Sequence, residues 1–182
     1  MPSAPVFGPE VTVYLGLGAN VGDRVAALLA AARELETGGD LQSVHLSSLY
    51  ETDAVGPVPQ GRFLNAVIGG RTALSPFELL DRTETIERRL GRLEKGTAGP
   101  RPLDVDILLY GDAQLRSCRL TLPHPEVEHR EFVLAPLTEL APALHLPDGR
   151  SVAELHARLA GTQGVNHYEC PEWPGADLSR RR

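Results

Sequence analysis

Alternation of apolar and polar residues predicts two β-strands in the first third of the chain, VTVYLGLG at 11–18 and SVHLSSLYET at 43–52. Two further strands are predicted from apolar, partly β-branched segments, FLNAVIGGRT at 63–72 and the centre of GPRPLDVDILLYGD at 99–112. The last of these strands is unusual, because two aspartates interrupt its apolar residues.

Helical periodicity predicts one helix before the second strand and another before the fourth. The first covers residues 22–36, where apolar residues recur along one face. The second covers residues 75–91 and opens with a capping box, Ser75 and Glu78, with proline at the first helical position. The resulting order βαββαβ specifies a ferredoxin-like fold of the α+β class.

Beyond the fourth strand, the sequence predicts smaller elements added to this core. Short strands are expected within 114–123, one or two helical segments within 125–142, and a helix with a second capping box within 151–161. Residues 162–182 show no periodicity and are expected to form a poorly ordered tail. The predicted organisation is therefore an αβα sandwich domain over residues 1–161, followed by that tail.

Composition restricts the classes of function. The formal net charge of −6 argues against general nucleic-acid binding, which usually needs a basic surface. Cys118 and Cys170 are isolated, so neither a disulfide framework nor a zinc site is expected. The first ten residues resemble no signal peptide, and no apolar segment reaches the 18 residues or so of a membrane span. A cytoplasmic location is the default expectation.

Asp104 and Asp106 are the main candidates for chemistry. Residues two apart on a strand share a face, about 6–7 Å apart at Cα. At an effective dielectric constant near 20, their charges repel by about 3 kcal/mol, so a compensating cation is expected. Arg101 is one candidate, although a single guanidinium pairs poorly with both carboxylates. Mg²⁺ or Mn²⁺ suits all-oxygen ligands better, and the alternative is a solvated pair at the edge of the sheet.

Two other motifs carry weaker signals. GLGANVGDR at 16–24 has glycine spacing one residue too long for a dinucleotide-binding loop, so its glycines are expected to form a turn into the first helix. His124 and His129 are five residues apart and do not share a helix face, which argues against joint metal binding. His124 and Arg130 could contact phosphate, or could belong to an ordinary polar loop.

Four motifs, in this order, resemble the 6-hydroxymethyl-7,8-dihydropterin pyrophosphokinase family of folate biosynthesis. They are YLGLGANVGDR at 14–24, FLNAV at 63–67, GPRPLDVDILLYG at 99–111 and LTLPHPEVEHREFVLAPLTELAP at 120–142. The third closely matches the family signature G-P-R-x-[LI]-D-[LIV]-D. The resemblance implies transfer of pyrophosphate from ATP to the pterin hydroxymethyl group, with release of AMP.

The resemblance also implies roles for residues at matching positions. Two Mg²⁺ ions, held by Asp104 and Asp106, would bridge the ATP phosphates and the pterin hydroxymethyl oxygen. Arg92 and Arg101 would contact the triphosphate and assist its transfer. The other implied ATP contacts are Ile107, Leu120, Thr121, His124 and Arg130. The implied pterin contacts are Thr52, Val55, Phe63, Asn65 and Phe132. Among these, Phe63 and Phe132 would sandwich the ring and Asn65 would hydrogen-bond to it.

The loops 51–62 and 92–101 would act as mobile lids, and a monomer without nucleic-acid or membrane partners is expected. Three departures from the family pattern concern Ala98, where an aromatic residue is common, Asp53, in place of a proline, and Pro125, in place of a tyrosine.

Two rival functions remain open from the sequence. A nucleotidyltransferase of the D-x-D type would use a similar aspartate pair but usually needs a third acidic ligand on a neighbouring strand. A ferredoxin-like regulatory module could bind a small ligand without chemistry, which would leave the aspartates and loop arginines unexplained.

Overall fold

The computed structural model describes residues 9–54, 60–91 and 100–175 of the 182-residue chain. Its strands are β1 (Val11–Ala19), β2 (Gln42–Leu46), β3 (Leu49–Thr52), β4 (Phe63–Thr72), β5 (Asp104–Tyr110), β6 (Leu115–Arg116), β7 (Thr121–Leu122) and β8 (Asn166–Tyr168). Its helices are α1 (Arg24–Thr37), α2 (Pro76–Arg89), α3 (Glu131–Leu140) and α4 (Val152–Leu159).

The main sheet is antiparallel and has the strand order β5-β1-β4-β3-β8, with β2 also paired to β4. Strand β1 therefore lies between β4 and β5, and the two crossovers of the chain run through α1 and α2. This is the pairing of a ferredoxin-like fold, so the predicted fold class is confirmed. The short strands β6 and β7 form a separate two-stranded sheet.

The predicted second strand is divided into β2 and β3 by a bulge. Leu46 pairs with Ile68, and Tyr50 pairs with Asn65, so four steps along one strand oppose three along the other. Ser47 lies within the break and keeps it hydrogen-bonded. Its N–H donates to the Val67 carbonyl at 2.9 Å, and its Oγ accepts from the Val67 N–H at 2.9 Å.

Helices α1 and α2 each begin directly after a residue whose side chain caps the first turn. Ser75 Oγ accepts from the Glu78 N–H at 3.4 Å, and Glu78 Oε2 accepts from the Ser75 N–H at 2.8 Å, so the predicted capping box is confirmed. Asp23 caps α1 by accepting from the Ala26 N–H at 3.0 Å. Within the described ranges, no helix has both the length and the apolarity to cross a membrane.

Apolar side chains pack against both faces of the sheet. One face is covered by α1 and α2, whose buried residues join Leu15 and other residues of the strands. The opposite face carries Leu108 and Val67, which pack with Leu134 of α3 and with Val152 of α4. The sheet is thus the middle layer of an αβα sandwich.

The segment that the sequence predicted to be a poorly ordered tail packs against the sheet as far as the structure describes it. Strand β8 pairs with β3, and the Trp173 side chain is only 7% exposed. The Trp173 indole N–H donates to the Ser47 carbonyl at 2.7 Å, across 126 positions of sequence. Residues 162–175 therefore belong to the folded domain, while 176–182 lie outside the described residues.

Replacing Trp173 tests this packing. We expect Trp173→Phe to lower the free energy of unfolding by about 1–3 kcal/mol, because it leaves the buried Ser47 carbonyl without its donor and removes part of the ring. Urea unfolding followed by circular dichroism measures the change, with Phe77→Leu, at an exposed position of α2, as the control. A change below about 0.5 kcal/mol, within the range of ordinary surface substitutions, would contradict this role.

Candidate functional site

Two rows of residues across β4, β1 and β5 form the floor of the site. In one row Gly18 lies between Asn65 and Asp104, and in the other Gly16 lies between Val67 and Asp106. Paired residues on neighbouring strands point to the same face, so each row has a side chain at both ends and none in the middle. A Cβ added at Gly18 would lie 3.3 Å from Asn65 Oδ1. The two glycines thus leave a depression in the sheet.

The expectation that these glycines form a turn was wrong for Gly16 and Gly18, since both lie within β1. The turn before α1 uses Gly22, whose φ of +69° lies in the left-handed region that favours glycine.

A cavity of about 580 Å³ stands on this floor. Its walls come from the end of β3, the start of β4, the start of α3 and the residues before β5. The predicted site residues that line it are Thr52, Phe63, Asn65, Arg101, Asp104, Asp106, Arg130 and Phe132. The fold therefore brings together side chains that are up to 80 positions apart in the sequence.

The two aspartates have different neighbours. Arg101 Nη1 lies 2.5 Å from Asp104 Oδ2, so the arginine pairs closely with one carboxylate of the two. Asp106 Oδ2 lies 3.9 Å from His124 Nε2, which is too far for a direct hydrogen bond. The side chains of Asp104 and Asp106 are 16% and 33% exposed, so both retain access to the cavity.

His124 has a neutral imidazole ring whose Nε2–H faces Asp106. Burial is the main cause that lowers the pKa of His124 below its ordinary value of 6.5; Asp106 opposes this shift and Arg130 adds to it. The Glu126 N–H donates to His124 Nδ1 at 3.1 Å. Since Nδ1 is the acceptor, the neutral ring carries its proton on Nε2, the nitrogen that faces Asp106.

Among the residues that the structure describes, no three His, Cys, Asp or Glu side chains are grouped so as to hold a metal ion. Asp104 and Asp106 are two oxygen donors on one face of a strand, half-buried at the cavity floor. Mg²⁺ commonly binds through one or two carboxylates and completes its coordination with water and substrate phosphates. The donor set therefore fits a Mg²⁺ ion that is shared with a phosphate ligand.

At the opposite end of the floor, Asn65 is held by a neighbouring side chain. Its Nδ2 donates to Thr52 Oγ1 at 3.0 Å, and Asn65 is only 6% exposed. Phe63 and Phe132 line the same cavity, and the Arg130 guanidinium lies over the Phe132 ring with Cζ 5.6 Å from its centroid. This end offers an amide and two aromatic rings to a flat, polar ligand.

The remaining predicted residues lie elsewhere or outside the described residues. Ile107 and Leu120 are 3% and 8% exposed, and their side chains pack in the cluster beneath α1 and α2. Thr121 is in β7, and neither it nor these two lines the cavity. Val55 and Arg92 lie outside the described residues, as does Ala98.

Sequence reasoning missed Asn20, which links the ends of both predicted lids. Its Nδ2 donates to Gln60 Oε1 at 2.9 Å and its Oδ1 accepts from the Arg101 N–H at 2.6 Å. The Asn20 N–H also donates to the Arg101 carbonyl, at 3.0 Å. Its position within GLGANVGDR was the only signal in the sequence. Glu126 and His129, which lie within the 120–142 motif, and Gln60 and Gln163, which lie in none of the four motifs, also line the cavity.

A second polar network joins the two sides of the 51–62 loop. Arg62 pairs with Glu51 at 2.7 Å and with Asp53 at 2.9 Å, while Arg24 pairs with Glu51 at 2.8 Å. Asp53, which departs from the family pattern, thus pairs with an arginine from the far side of the loop.

Comparison with known proteins agrees with the family resemblance of the four sequence motifs. A family model described as 7,8-dihydro-6-hydroxymethylpterin-pyrophosphokinase (HPPK) matches residues 14–142. A 2-amino-4-hydroxy-6-hydroxymethyldihydropteridine pyrophosphokinase of Aquifex aeolicus is 45% identical over 131 residues, which cover 72% of this chain and 81% of the relative. The protein of the same name from Pseudomonas aeruginosa is 43% identical over 145 residues, which cover 80% of this chain and 90% of the relative.

Solved structures show the same fold at much lower identity. A crystal structure of HPPK-DHPS in complex with substrates has a TM-score of 0.66 at 12% identity, covering 85% of this chain and 44% of that one. Wild-type Plasmodium falciparum HPPK-DHPS with pteroate has a TM-score of 0.63 at 16% identity, covering 82% and 42%. This chain spans less than half the length of those solved chains.

Removing the Asn20 amide should loosen the attachment of Arg101. We expect Asn20→Ala to lower the free energy of unfolding by about 1–3 kcal/mol, because the Arg101 N–H is left without its acceptor. Urea unfolding measures this change. The matched control is Asn166→Ala, whose exposed amide donates to the Gly164 carbonyl and which should cost under about 0.5 kcal/mol. Equal costs for the two variants would show that the Asn20 link contributes nothing specific.

Proposed function

Because the chain belongs to the 7,8-dihydro-6-hydroxymethylpterin-pyrophosphokinase family, we propose that it transfers pyrophosphate from ATP to the hydroxymethyl group of 6-hydroxymethyl-7,8-dihydropterin. The products are AMP and the pterin diphosphate, a step of tetrahydrofolate biosynthesis. The observation that carries this proposal is the row in which Gly18 separates Asn65 from Asp104. Two strand spacings, about 10 Å in total, separate a position for the pterin from a position for the phosphates.

In this reaction the pterin hydroxyl oxygen forms a bond to the β-phosphorus of ATP. The bond between that phosphorus and the oxygen bridging it to the α-phosphorus breaks, so AMP leaves and the hydroxyl proton is released. Such transfers need little covalent help from the protein, and their rate depends on alignment and on charge stabilisation. The contribution of this chain is therefore to hold the two substrates in line and to surround the phosphates with compensating charge.

Asp104 and Asp106 are proposed to hold two Mg²⁺ ions against the ATP phosphates. Their oxygen-only chemistry, shared face and partial exposure support this assignment. When bound, Mg²⁺ would neutralise charge that develops on the phosphate oxygens. Because the two carboxylates are carried by a paired strand, they keep a fixed spacing, which precise metal placement requires.

Positive charge at the phosphates is proposed to come from arginines. Arg101 is already held beside Asp104, Arg130 lines the cavity, and His124 Nε2 lies 3.9 Å from Asp106 Oδ2. Arg92, outside the described residues, is proposed as the second loop arginine. Ile107, Leu120 and Thr121 remain proposed ATP contacts. For Ile107 and Leu120 the contacts would be through the backbone, since their side chains are buried in the core.

The pterin is proposed to bind at the other end of the floor. Asn65 would hydrogen-bond its ring, Phe63 and Phe132 would stack on its faces, and Thr52 and Val55 would add contacts from the loop side. Thr52 supports this arrangement by accepting from Asn65 Nδ2, which fixes the orientation of the amide. The Asn65 Oδ1 then remains directed toward the open space above Gly18, where ring N–H groups can reach it.

One assay tests the function against its rivals. Purified protein is incubated with ATP, Mg²⁺ and 6-hydroxymethyl-7,8-dihydropterin, and nucleotide products are separated by chromatography. We expect AMP and pterin diphosphate in equal amounts. Pyrophosphate release with a nucleotidylated product would favour the nucleotidyltransferase, and binding without turnover would favour the regulatory module. The expected cytoplasmic location and monomeric state stay predictions.

Removal of either aspartate charge should abolish most of the transfer. We expect Asp104→Asn and Asp106→Asn each to lower kcat/KM at least about a hundredfold, or about 2.7 kcal/mol, because each replaces a charged metal ligand with a neutral, weaker one. Asp112→Asn, at an exposed position after β5, is the control and should react at the wild-type rate. Retention of more than about a tenth of the activity in either variant would contradict metal binding by both carboxylates.

Loss of the Phe132 ring should affect the two substrates unequally. We expect Phe132→Leu to weaken pterin binding about ten- to a hundredfold, by analogy with the loss of base stacking, and to change ATP affinity by less than about threefold. Calorimetric titrations of each substrate measure both effects, with Phe77→Leu on the surface as the control. Equal losses for both substrates would exclude a specific stack on the pterin.

A further inference from the structure

Helix α3 begins at the cavity without a cap of its own. Its N-cap residue is Arg130, which has extended backbone angles (φ −115°, ψ 108°) and makes no capping hydrogen bond with its side chain. An arginine cannot cap, because its guanidinium has donors only, whereas the free N–H groups of a first helical turn need acceptors. Arg130 instead lines the cavity with its positive charge.

The missing cap is supplied by Gln163, which follows α4 in the chain. Gln163 Oε1 accepts from the Glu131 N–H at 2.9 Å, and Gln163 Nε2 donates to the His129 carbonyl at 2.8 Å. One side-chain amide therefore holds the backbone on both sides of Arg130. Its own position depends on the turn at residues 161–164.

Glu131 completes the connection in the reverse direction. Its carboxylate accepts from the Gly161 N–H at 2.7 Å and from the Gln163 N–H at 2.9 Å, and the residue is only 4% exposed. Gly161 adopts a φ of +77°, which lets the turn direct both N–H groups at the carboxylate. A carboxylate in the first turn of a helix is also stabilised by the helix dipole. We call these four hydrogen bonds between residues 129–131 and 161–163 the clasp.

The clasp lies between two side chains that line the cavity at the N-terminus of α3. Arg130 and Phe132 border the cavity, while Glu131, the residue between them, is buried in the clasp. Any rotation of the backbone at Glu131 would move both neighbours. The family model matches residues 14–142, so the 161–163 half of the clasp lies outside the matched region.

The same segment continues to the opposite wall of the cavity. Strand β8 pairs with β3, with Asn166 opposite Glu51, next to Thr52. Residues 161–168 therefore connect the α3 wall to the β3 wall.

We propose that Glu131 and Gln163 are positioning residues that hold Arg130 and Phe132 for substrate binding, which makes the turn at 161–163 part of the substrate site. This inference rests on the proposed function. A merely structural clasp would lower stability and leave substrate affinity in the folded protein unchanged.

The test measures equilibrium binding of 6-hydroxymethyl-7,8-dihydropterin, with a non-hydrolysable ATP analogue present, to Glu131→Gln, Gln163→Ala and the double variant. Circular dichroism confirms that each protein is folded at the assay temperature. We expect each single variant to bind the pterin about five- to tenfold more weakly, because a small displacement of a stacking ring costs affinity. The double variant should bind the pterin no more weakly than the single variant with the lower affinity, because both substitutions break the same clasp.

Glu154→Gln is the matched control, because it removes the same charge from an exposed position on α4 and should bind like wild type. Since Gln163 is exposed, Gln163→Ala keeps the test decisive if Glu131→Gln does not fold. Pterin affinity within twofold of wild type in the folded single variants would overturn the positioning role of the clasp. So would a double variant whose loss of affinity equals the product of the two single losses. If wild-type protein forms no AMP, the proposed function fails and the clasp inference fails with it; if it reacts, these outcomes judge the clasp alone.

Discussion

The register of β1 between β4 and β5 is the constraint on which the site depends. It places Gly16 and Gly18 on the face that carries Asp104, Asp106 and Asn65, and it directs the larger odd-numbered residues of β1 into the core under α1 and α2. A slip of one residue would turn leucines toward the cavity and glycines toward the core. The alternation of large and small residues along β1 therefore fills the core on one face of the sheet and leaves the depression of the site on the other.

The two aspartates at this floor have different charged and polar neighbours. The two aspartates are on a paired strand, so their mutual repulsion is resisted by the hydrogen bonds of the sheet. Arg101 reduces the negative charge at Asp104, whereas Asp106 faces the neutral, N–H-bearing side of His124. The two carboxylates thus have unequal surroundings although they are chemically identical.

The walls are held by polar side chains that bond to the backbone of distant segments. Asn20 joins the residues before β5 to the end of the 51–62 loop, and Glu131 with Gln163 joins the start of α3 to the turn after α4. Each link satisfies backbone N–H groups that regular secondary structure leaves open. Buried groups of this kind are costly when unpaired, so these links define wall positions more sharply than apolar packing alone would.

The sequence by itself determined the helices and strands of the ferredoxin-like core, their order and the shared face of the two aspartates. These properties depend on residues a few positions apart: the two-residue period of a strand, the periodicity of a helix, and the capping box at Ser75 and Glu78. Its motifs also indicated the family and eight of the residues that line the cavity. Only the tertiary structure decided that Gly18 separates Asn65 from Asp104, that Asn20 meets Arg101, and that Gln163 caps α3 in a segment expected to be loose. The physical reason is that a hydrogen bond between distant residues leaves no periodic pattern in the sequence, because its partners are chosen by how the packed elements approach one another.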